Sequence, residues 1–174
     1  KNSFFKKSKI IKNLITSNYS NINDITKLKK ILKQTKPEII FHLAAQPLVL
    51  ESYKKPLETF STNIIGTLNL LESIRTIKSI KSVEIITTDK VYKVNKKNNE
   101  YKELDQLGGF DPYSASKVGA EIVVDSYIKS FFKNTFLQKK YLLQELETYW
   151  VVVISQKIDW FLISSKLLIV IKNL

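Results

Sequence analysis

Apolar residues recur along the chain at spacings that predict helices and strands in alternation. Asp24 precedes an apolar stripe at helical spacing, which predicts an amphipathic helix that ends near Pro37. The stripe consists of Ile25, Leu28, Ile31 and Leu32. Residues 38–43 form a largely apolar run of strand length, and the small residues Ala44 and Ala45 follow it. We therefore expect a buried strand that ends where the backbone can be approached closely.

The alternation continues downstream of this strand. Residues 56–77 predict a long helix that begins at a proline, and residues 83–88 predict a second strand. Residues 91–110 are polar and predict a loop over the carboxyl end of that strand. A helix is predicted over residues 111–132, because the segment begins with Asp as a cap and Pro in the first turn. Residues 14–16 predict a further short strand.

Helices and strands that alternate with short connections indicate an α/β fold with a parallel sheet and helices on its faces. Ligands of such sheets bind outside the carboxyl ends of the strands. Residues 42–46, residues 87–90 and the helix start at Tyr113 all lie at that edge of the predicted sheet. Their convergence predicts a functional site there.

Two groups of reactive side chains stand at this edge. Thr88, Asp89 and Lys90 supply a hydroxyl, a carboxylate and an amine in consecutive positions. Tyr113 and Lys117 lie four residues apart, so one helical turn places them on the same face. An ammonium near a phenol favours the phenolate, and the pair therefore predicts a tyrosine base. A Tyr-x-x-x-Lys pair alone is common by chance. The prediction of a functional site therefore depends on the two groups lying close together in the fold.

The composition limits the kinds of site and partner that the chain can have. The chain has no Cys and one His, which argues against thiolate and His-rich metal sites, and we predict no metal. The net charge is +12, and residues 1–36 hold ten lysines against one acid, Asp24. This uneven distribution favours a solvated basic face over nucleic-acid binding. No segment is long and apolar enough to span a membrane and no signal peptide pattern is present, so we expect a cytoplasmic protein.

Four stretches together resemble the extended short-chain dehydrogenase/reductases. They are residues 41–49, 62–67, 87–92 and 108–117. Within that family the chain looks most like the CDP-glucose 4,6-dehydratases. The Gln-Pro pair after His-Leu-Ala-Ala and the Gly-Gly-Phe-Asp-Pro-Tyr segment favour this branch, as does Lys90, where the dTDP-glucose dehydratases have Glu.

The resemblance implies an NAD-dependent dehydration of a nucleotide sugar, CDP-glucose, to the 4-keto-6-deoxy sugar. By this analogy Tyr113 takes the proton from the sugar 4-hydroxyl. Lys117 lowers the pKa of Tyr113 and holds the nicotinamide ribose. Thr88 hydrogen-bonds the 4-oxygen, Asp89 protonates the departing 6-hydroxyl, and Lys90 assists at C5.

The family holds its NAD tightly, since the cofactor is regenerated in each turnover. The implied cofactor-binding residues are Asn21, Ile22, Leu43, Ala44, Ala45, Tyr113 and Lys117. Asn21 and Ile22 match an Asp-Ile pair at the adenine, so the side chain can still hydrogen-bond but the charge is lost. The resemblance also suggests a homodimer through the helices near 57–77 and 112–132.

The resemblance covers residues 14–134 and divides the chain into three parts. Residues 1–13 are a basic N-terminal remnant, residues 14–134 are a partial NAD-binding Rossmann-type domain, and residues 135–174 are a tail. The chain has four glycines, Gly66, Gly108, Gly109 and Gly119. None forms the Gly-rich turn that seats the pyrophosphate at a helix N-terminus. We therefore expect a doubly wound parallel sheet that lacks its first strand and this turn, and weakened NAD binding.

The tail is predicted to be out of frame. Read one base out of register, residues 142–161 can encode a segment that contains Ala-Arg-Ala-Gly-Asn-Val-Leu-Gly-Gly-Gly-Asp, and this run resembles the segment that the family has next. We infer a frameshift between about Asn134 and Leu142, with a divergent native tail as the alternative. Trp150 and Trp160 would then lie in a segment not selected to pack on this sheet, which is an aggregation liability.

Two alternatives to an inactive dehydratase fragment stay open. One is an active relative with another reaction, such as a nucleotide-sugar epimerase, although an epimerase does not need Asp89 and Lys90. The other is a basic binding protein that keeps the fold without chemistry, and salt-dependent nucleic-acid binding would be its signature.

Overall fold

The computed structural model describes Asn18, residues 20–94, 101–102 and 104–132, and the strands at 158–163 and 166–171. The strand predicted at residues 14–16, the basic remnant and residues 135–157 of the tail lie outside the described residues.

Over its described part the chain folds into helices and four strands. In chain order the elements are α1 (Ile25–Thr35), β1 (Ile39–His42), α2 (Val49–Lys54), α3 (Pro56–Phe60), a π-helical turn (Ser61–Ile65), α4 (Gly66–Ile74), β2 (Ser82–Ile85), a 3-10 turn (Asp89–Val91), α5 (Pro112–Phe131), β3 (Ile158–Ile163) and β4 (Lys166–Ile171). The helix predicted over 56–77 is therefore three consecutive helical segments. Helix α2 was not predicted, because six residues are too few for a helical period to be recognised.

Helix α1 forms where its capping signals predict it. The Asp24 carboxylate accepts a hydrogen bond of 2.9 Å from the Lys27 backbone N–H, which satisfies one of the free donors of the first turn. At the other end Lys36 adopts a left-handed conformation with φ 46° and stops the helix before Pro37. Leu28 and Leu32 are buried, so the predicted apolar stripe faces the core.

The sheet contains the parallel pair that the sequence predicts. β1 and β2 run parallel, with Ile40 opposite Val83, and both side chains are buried. α1 packs against α4, and α4 packs against α5, so that Leu70 and Leu71 of α4 complete the core. This core fixes where the carboxyl ends of β1 and β2 lie.

The other edge of β1 differs from the prediction of a wholly parallel sheet. β4 pairs antiparallel with β1, with Val170 opposite Ile40, and β3 pairs antiparallel with β4. The order is therefore β2-β1-β4-β3. An edge strand presents a row of free backbone N–H and C=O groups, and another extended segment can satisfy them. Part of the tail, which we did not expect to join the sheet, takes this position.

His42, the one histidine of the chain, is buried at the end of β1. Its Nε2 lies 2.9 Å from the Thr67 hydroxyl, and that hydroxyl donates to the Asn63 carbonyl oxygen at 2.7 Å. Because Thr67 has one hydroxyl hydrogen, Nε2 must carry the ring proton and donate. Burial, with a smaller contribution from the charge of Lys117, lowers the pKa of His42 to about 3. The imidazole is therefore neutral near pH 7.

Gly109 lies against the start of α5. A Cβ at position 109 would come 2.2 Å from the Ala115 nitrogen and 2.3 Å from the Ser114 carbonyl carbon, and both are backbone atoms. Neighbouring Gly108 is less constrained, because its Cβ would meet the Lys93 Cβ at 3.2 Å. A side chain at 109 must therefore displace the loop or the helix start, whereas one at 108 displaces only a side chain.

We predict that acid destabilises the fold through His42. The unfolded chain takes up a proton below about pH 6.5 that the folded chain refuses, so stability falls as pH falls from 6.5 toward 3. The slope is about 1.4 kcal/mol per pH unit, or about 2 kcal/mol between pH 7 and 5. Urea unfolding across this range measures the slope. His42→Asn, which keeps a neutral donor, should flatten it, and an unchanged slope in that variant would contradict the assignment.

We also predict that Gly109→Ala destabilises the chain by about 1–3 kcal/mol, because the clash is with backbone. Gly108→Ala is the matched control and should change the free energy of unfolding by no more than about 0.5 kcal/mol. Urea denaturation of the two variants gives the comparison. Equal stabilities would show that the loop moves freely away from α5.

Candidate active site

The carboxyl ends of β1 and β2 bring the predicted groups together. The Ile86 backbone N–H donates to the His42 carbonyl oxygen at 3.1 Å, which extends the parallel pairing one step beyond β2. Thr87 and Thr88 follow directly, and Thr88 leads into the 3-10 turn. Asp111 caps α5 by accepting from the Ser114 N–H at 3.0 Å, which places Tyr113 in its first turn.

A buried amide holds the segment after β1 and the start of α5 in place. The Asn63 side-chain oxygen accepts from the Gln46 backbone N–H at 2.6 Å, and its nitrogen donates to the Gln46 carbonyl oxygen at 3.2 Å. The same nitrogen donates to the Ser116 hydroxyl at 2.8 Å. Asn63 is 1% exposed and lies in the π-helical turn, a feature often found at functional sites.

Tyr113 is buried between α2 and the 3-10 turn. Its backbone N–H donates to the Ser52 hydroxyl of α2 at 3.1 Å, and its phenol is hydrogen-bonded to the Thr88 side chain. Burial raises the pKa of Tyr113, the Thr88 bond opposes this, and the charges of Asp89 and Asp111 add to the rise. That Lys117 lowers this pKa stays a prediction.

Lys117 is buried and held at the end of the strand. Its Nζ donates to the Ile86 carbonyl oxygen at 3.1 Å, and the side chain is 8% exposed. Burial lowers the pKa of Lys117 to about 8, while the charge of Glu121 acts in the opposite direction. Glu121, one turn further along α5, accepts a hydrogen bond of 2.7 Å from the Thr87 hydroxyl. Lys117 is thus held on the strand end and against an acid.

Thr88, Asp89 and Lys90 occupy different environments although they are consecutive. Thr88 caps the 3-10 turn and donates from its hydroxyl to the Asp89 carboxylate at 3.1 Å. The Lys90 backbone N–H approaches the Thr88 hydroxyl at 3.4 Å, but the Lys90 side chain is exposed. Four predicted catalytic residues are therefore assembled in one place, and Lys90 stands at its rim.

The residues predicted to bind the cofactor fall into two settings. Ala44 and Ala45 are buried directly after β1, and Leu43 is half-buried between them and the strand. Ile22 is buried in the core, where a Cβ at Gly66 would come 2.6 Å from its Cγ2 atom. Asn21 is exposed, and its side-chain oxygen accepts from the Asn23 N–H at 3.0 Å.

Several residues that organise this site were not singled out from the sequence. They are Ser52, Asn63, Ser116 and Glu121. Asn63 and Ser116 lie within the motifs that carry the family resemblance, which is the signal that could have identified them. Glu121 could have been found from its position one turn after Lys117, on the same buried face of α5.

The described residues contain no group of three or more side chains arranged to hold a metal ion. Nor does any described helix have the length and apolar character needed to cross a membrane.

Comparison with known proteins gives relatives that include nucleotide-sugar dehydratases and epimerases. A CDP-glucose 4,6-dehydratase of Salmonella typhimurium is 45% identical over 122 residues, which are 70% of this chain and 34% of that protein. A dTDP-D-glucose 4,6-dehydratase of Dictyostelium discoideum is 32% identical over 120 residues, 64% of this chain and 28% of its own length. The chain thus spans about a third of the length of these relatives.

Solved structures agree with this result. A UDP-glucose 4-epimerase from Thermotoga maritima, with UDP-glucose, superposes with a TM-score of 0.61 at 29% identity over 65% of this chain and 37% of that one. The dTDP-glucose 4,6-dehydratase DesIV from Streptomyces venezuelae, with NAD and TYD bound, superposes with a TM-score of 0.59 at 27% identity. That match covers 65% of this chain and 34% of DesIV. The family model described as GDP-mannose 4,6 dehydratase matches residues 3–139. By this match over most of its length, the chain belongs to the GDP-mannose 4,6 dehydratase family of nucleotide-sugar enzymes.

Proposed function

We propose that this chain carries the catalytic edge of an NAD-dependent CDP-glucose 4,6-dehydratase. The observation that carries the proposal is the contact between Tyr113, Thr88 and Asp89 at the carboxyl ends of the strands. A base, a hydroxyl and an acid in contact suit a reaction that oxidises one carbon and expels water from another. The 45% identity to the Salmonella dehydratase supports the choice of CDP-glucose.

In the proposed reaction the chain's own groups move protons. Tyr113 removes the proton from the sugar 4-hydroxyl, and Thr88 bonds the same oxygen. The 4-keto group makes the C5 proton acidic, Lys90 at the rim assists its removal and return, and Asp89 protonates the departing 6-hydroxyl. NAD, when bound, supplies the redox chemistry by accepting hydride from C4 and returning it to C6.

The residues present suit one end of NAD better than the other. Lys117 has three N–H donors, of which one goes to the Ile86 oxygen, and this suits a ribose with two hydroxyls. Ala44 and Ala45 offer small side chains beside it, and exposed Asn21 offers an amide to the adenine. The pyrophosphate end has no Gly-rich turn among the four glycines. We therefore propose that the chain alone binds NAD weakly and is inactive.

We predict that this chain forms no detectable 4-keto-6-deoxy product from CDP-glucose and NAD. A polypeptide that joins this segment to the family's Gly-rich turn and substrate domain should form it. In that polypeptide Tyr113→Phe should reduce turnover at least about 100-fold, because the base is removed. Mass spectrometry of the nucleotide sugar measures the product.

Tyr127→Phe is the matched control, since Tyr127 lies on the same helix and bonds Glu72 at 3.2 Å, away from the edge. Equal activity of Tyr113→Phe and the control would refute the assignment of Tyr113 as the base. Conversion of UDP-glucose to its 4-epimer, without dehydration, would favour the epimerase alternative. Salt-dependent nucleic-acid binding with no sugar product would favour the binding protein.

We further propose that the chain forms a homodimer through the helices around α3 and α5. Leu57 of α3, Ile65 of the π-helical turn and Ile122 of α5 are exposed apolar side chains on neighbouring elements. Apolar side chains grouped on neighbouring elements suit a self-association surface.

We predict that Leu57→Asp with Ile122→Asp shifts the protein from dimer to monomer in analytical ultracentrifugation, because charge is placed in an apolar contact. Leu104→Asp is the control, since Leu104 is 99% exposed in the loop before α5. A monomeric unmodified protein, or a dimer that survives the double change, would contradict the proposal.

A further inference from the structure

We propose that Glu121 is a positioning residue for Lys117, and that it acts through Thr87. The Thr87 hydroxyl donates to Glu121 Oε1 at 2.7 Å, and Lys117 Nζ donates to the Ile86 carbonyl oxygen at 3.1 Å. Two neighbouring residues just after β2 are therefore held by two residues one turn apart on α5. The binding of the NAD ribose by Lys117 rests on the proposed function, whereas the hold on Lys117 rests on contacts within the chain.

The peptide group between Ile86 and Thr87 is fixed on both of its sides. On one side the Ile86 N–H donates to the His42 carbonyl oxygen of β1 at 3.1 Å, and on the other the Thr87 hydroxyl is bonded to Glu121. The oxygen of this same peptide group accepts from Lys117. Because a peptide group is planar, fixing both flanking residues fixes the direction of its C=O bond. Glu121 therefore determines where Lys117 finds its acceptor.

Burial makes this acceptor important. The side chain of Lys117 is 8% exposed and that of Glu121 is 6% exposed. A buried charge is costly unless it is paired and hydrogen-bonded, and the hydroxyl of Thr87 supplies such a bond to the Glu121 carboxylate. If the peptide group after Ile86 turned away, Lys117 would lose a buried acceptor. Its charged form would then be destabilised relative to the neutral amine.

The charge of Glu121 also suits its position one turn after Lys117. Burial lowers the pKa of Lys117 to about 8, and the charge of Glu121 acts against this shift. The charge of Lys117 also acts on His42 of β1, but the imidazole is neutral near pH 7. Tyr113, one turn before Lys117 on α5, has a raised pKa, and the charge of Asp89 on the 3-10 turn contributes to that rise. Glu121 is therefore the acid whose charge favours the ammonium of Lys117.

The test uses NMR titration of the 174-residue chain, labelled with ¹³C at lysine Cε and at the isoleucine carbonyl carbon. Lys117→Arg identifies the lysine signal, and Ile86→Val identifies the carbonyl signal. In the unmodified chain Lys117 should titrate near pH 8. The Ile86 carbonyl signal should move with the same midpoint, because its oxygen accepts from the titrating group.

Thr87→Val separates the contact from the charge, because it removes the hydroxyl donor and leaves every charged group in place. It should lower the midpoint of Lys117 by about one pH unit and abolish the response of the Ile86 carbonyl signal. Glu121→Leu, which removes the acceptor of the same bond, should also abolish that response. Thr87→Ser keeps a hydroxyl and should restore both values of the unmodified chain.

Glu121→Gln makes the opposite separation, since its side-chain oxygen can still accept from Thr87 but the charge is gone. It should lower the midpoint of Lys117 while the Ile86 carbonyl signal continues to follow it. Asp125→Asn is the matched control, because Asp125 lies one turn further along α5 and pairs with exposed Lys129 at 2.7 Å. This control should leave the midpoint of Lys117 unchanged.

Two results would overturn the positioning role. If Thr87→Val leaves both the midpoint of Lys117 and the response of the Ile86 carbonyl signal unchanged, the bond to Glu121 does not position the acceptor. If Asp125→Asn lowers the midpoint as much as Glu121→Gln does, the effect belongs to the charge of the helix in general and not to Glu121.

NAD binding gives the functional measurement, in a polypeptide that joins this segment to the family's Gly-rich turn and substrate domain. A fall of one unit in the pKa of Lys117 reduces its protonated fraction at pH 8 from about one half to about one eleventh. Thr87→Val should therefore raise the NAD dissociation constant at pH 8 about fivefold, and Thr87→Ser should not.

Failure of the positioning role is distinguishable from failure of the proposed function. If the unmodified joined polypeptide forms no dehydrated sugar, the proposed function fails, while the titrations of the 174-residue chain still decide the role of Glu121. If that polypeptide is active but Thr87→Val changes neither the NAD dissociation constant nor the titration of Lys117, the positioning role alone fails.

Discussion

The buried side chain of Asn63 is the contact on which the site depends. Its amide joins the Gln46 backbone, which follows β1, to Ser116, which lies in the first turns of α5. When a buried amide loses a hydrogen-bond partner, the full desolvation penalty of the unpaired group is felt. The network is therefore stable only when every member keeps its partners. Ser116 in turn donates to the Tyr113 carbonyl oxygen at 2.6 Å. The position of the phenol is thereby tied to the sheet.

Burial at the strand ends governs the charges of the side chains there. It keeps His42 neutral, and it makes the charged form of Lys117 costly enough that the Ile86 carbonyl and Glu121 are needed beside it. The same burial raises the pKa of Tyr113.

The elements that the sequence could predict are those whose signals lie within the element itself. α1 and α5 were predicted because Asp24 and Asp111 are caps whose effect reaches only three residues along the chain. The hold on Lys117 could not be predicted from the helix, because the Ile86 carbonyl that accepts from it lies directly after β2. The antiparallel pairing of β4 could not be predicted, since it depends on which segment reaches the free edge of β1 and not on the residues of β1.

The π-helical turn sets how the side chain of Asn63 is rotated about the helix axis relative to the core residues of α4. Its i to i+5 bond, from the Gly66 N–H to the Ser61 oxygen, accommodates one residue more than an α-helical turn. Each residue of a helix turns the following side chains by about 100°. Loss of one residue between Asn63 and Leu70 would therefore turn either the amide away from Gln46 or the leucine away from the core. The number of residues in this turn is as strictly constrained as their identity, and insertions or deletions here should be rarer than substitutions.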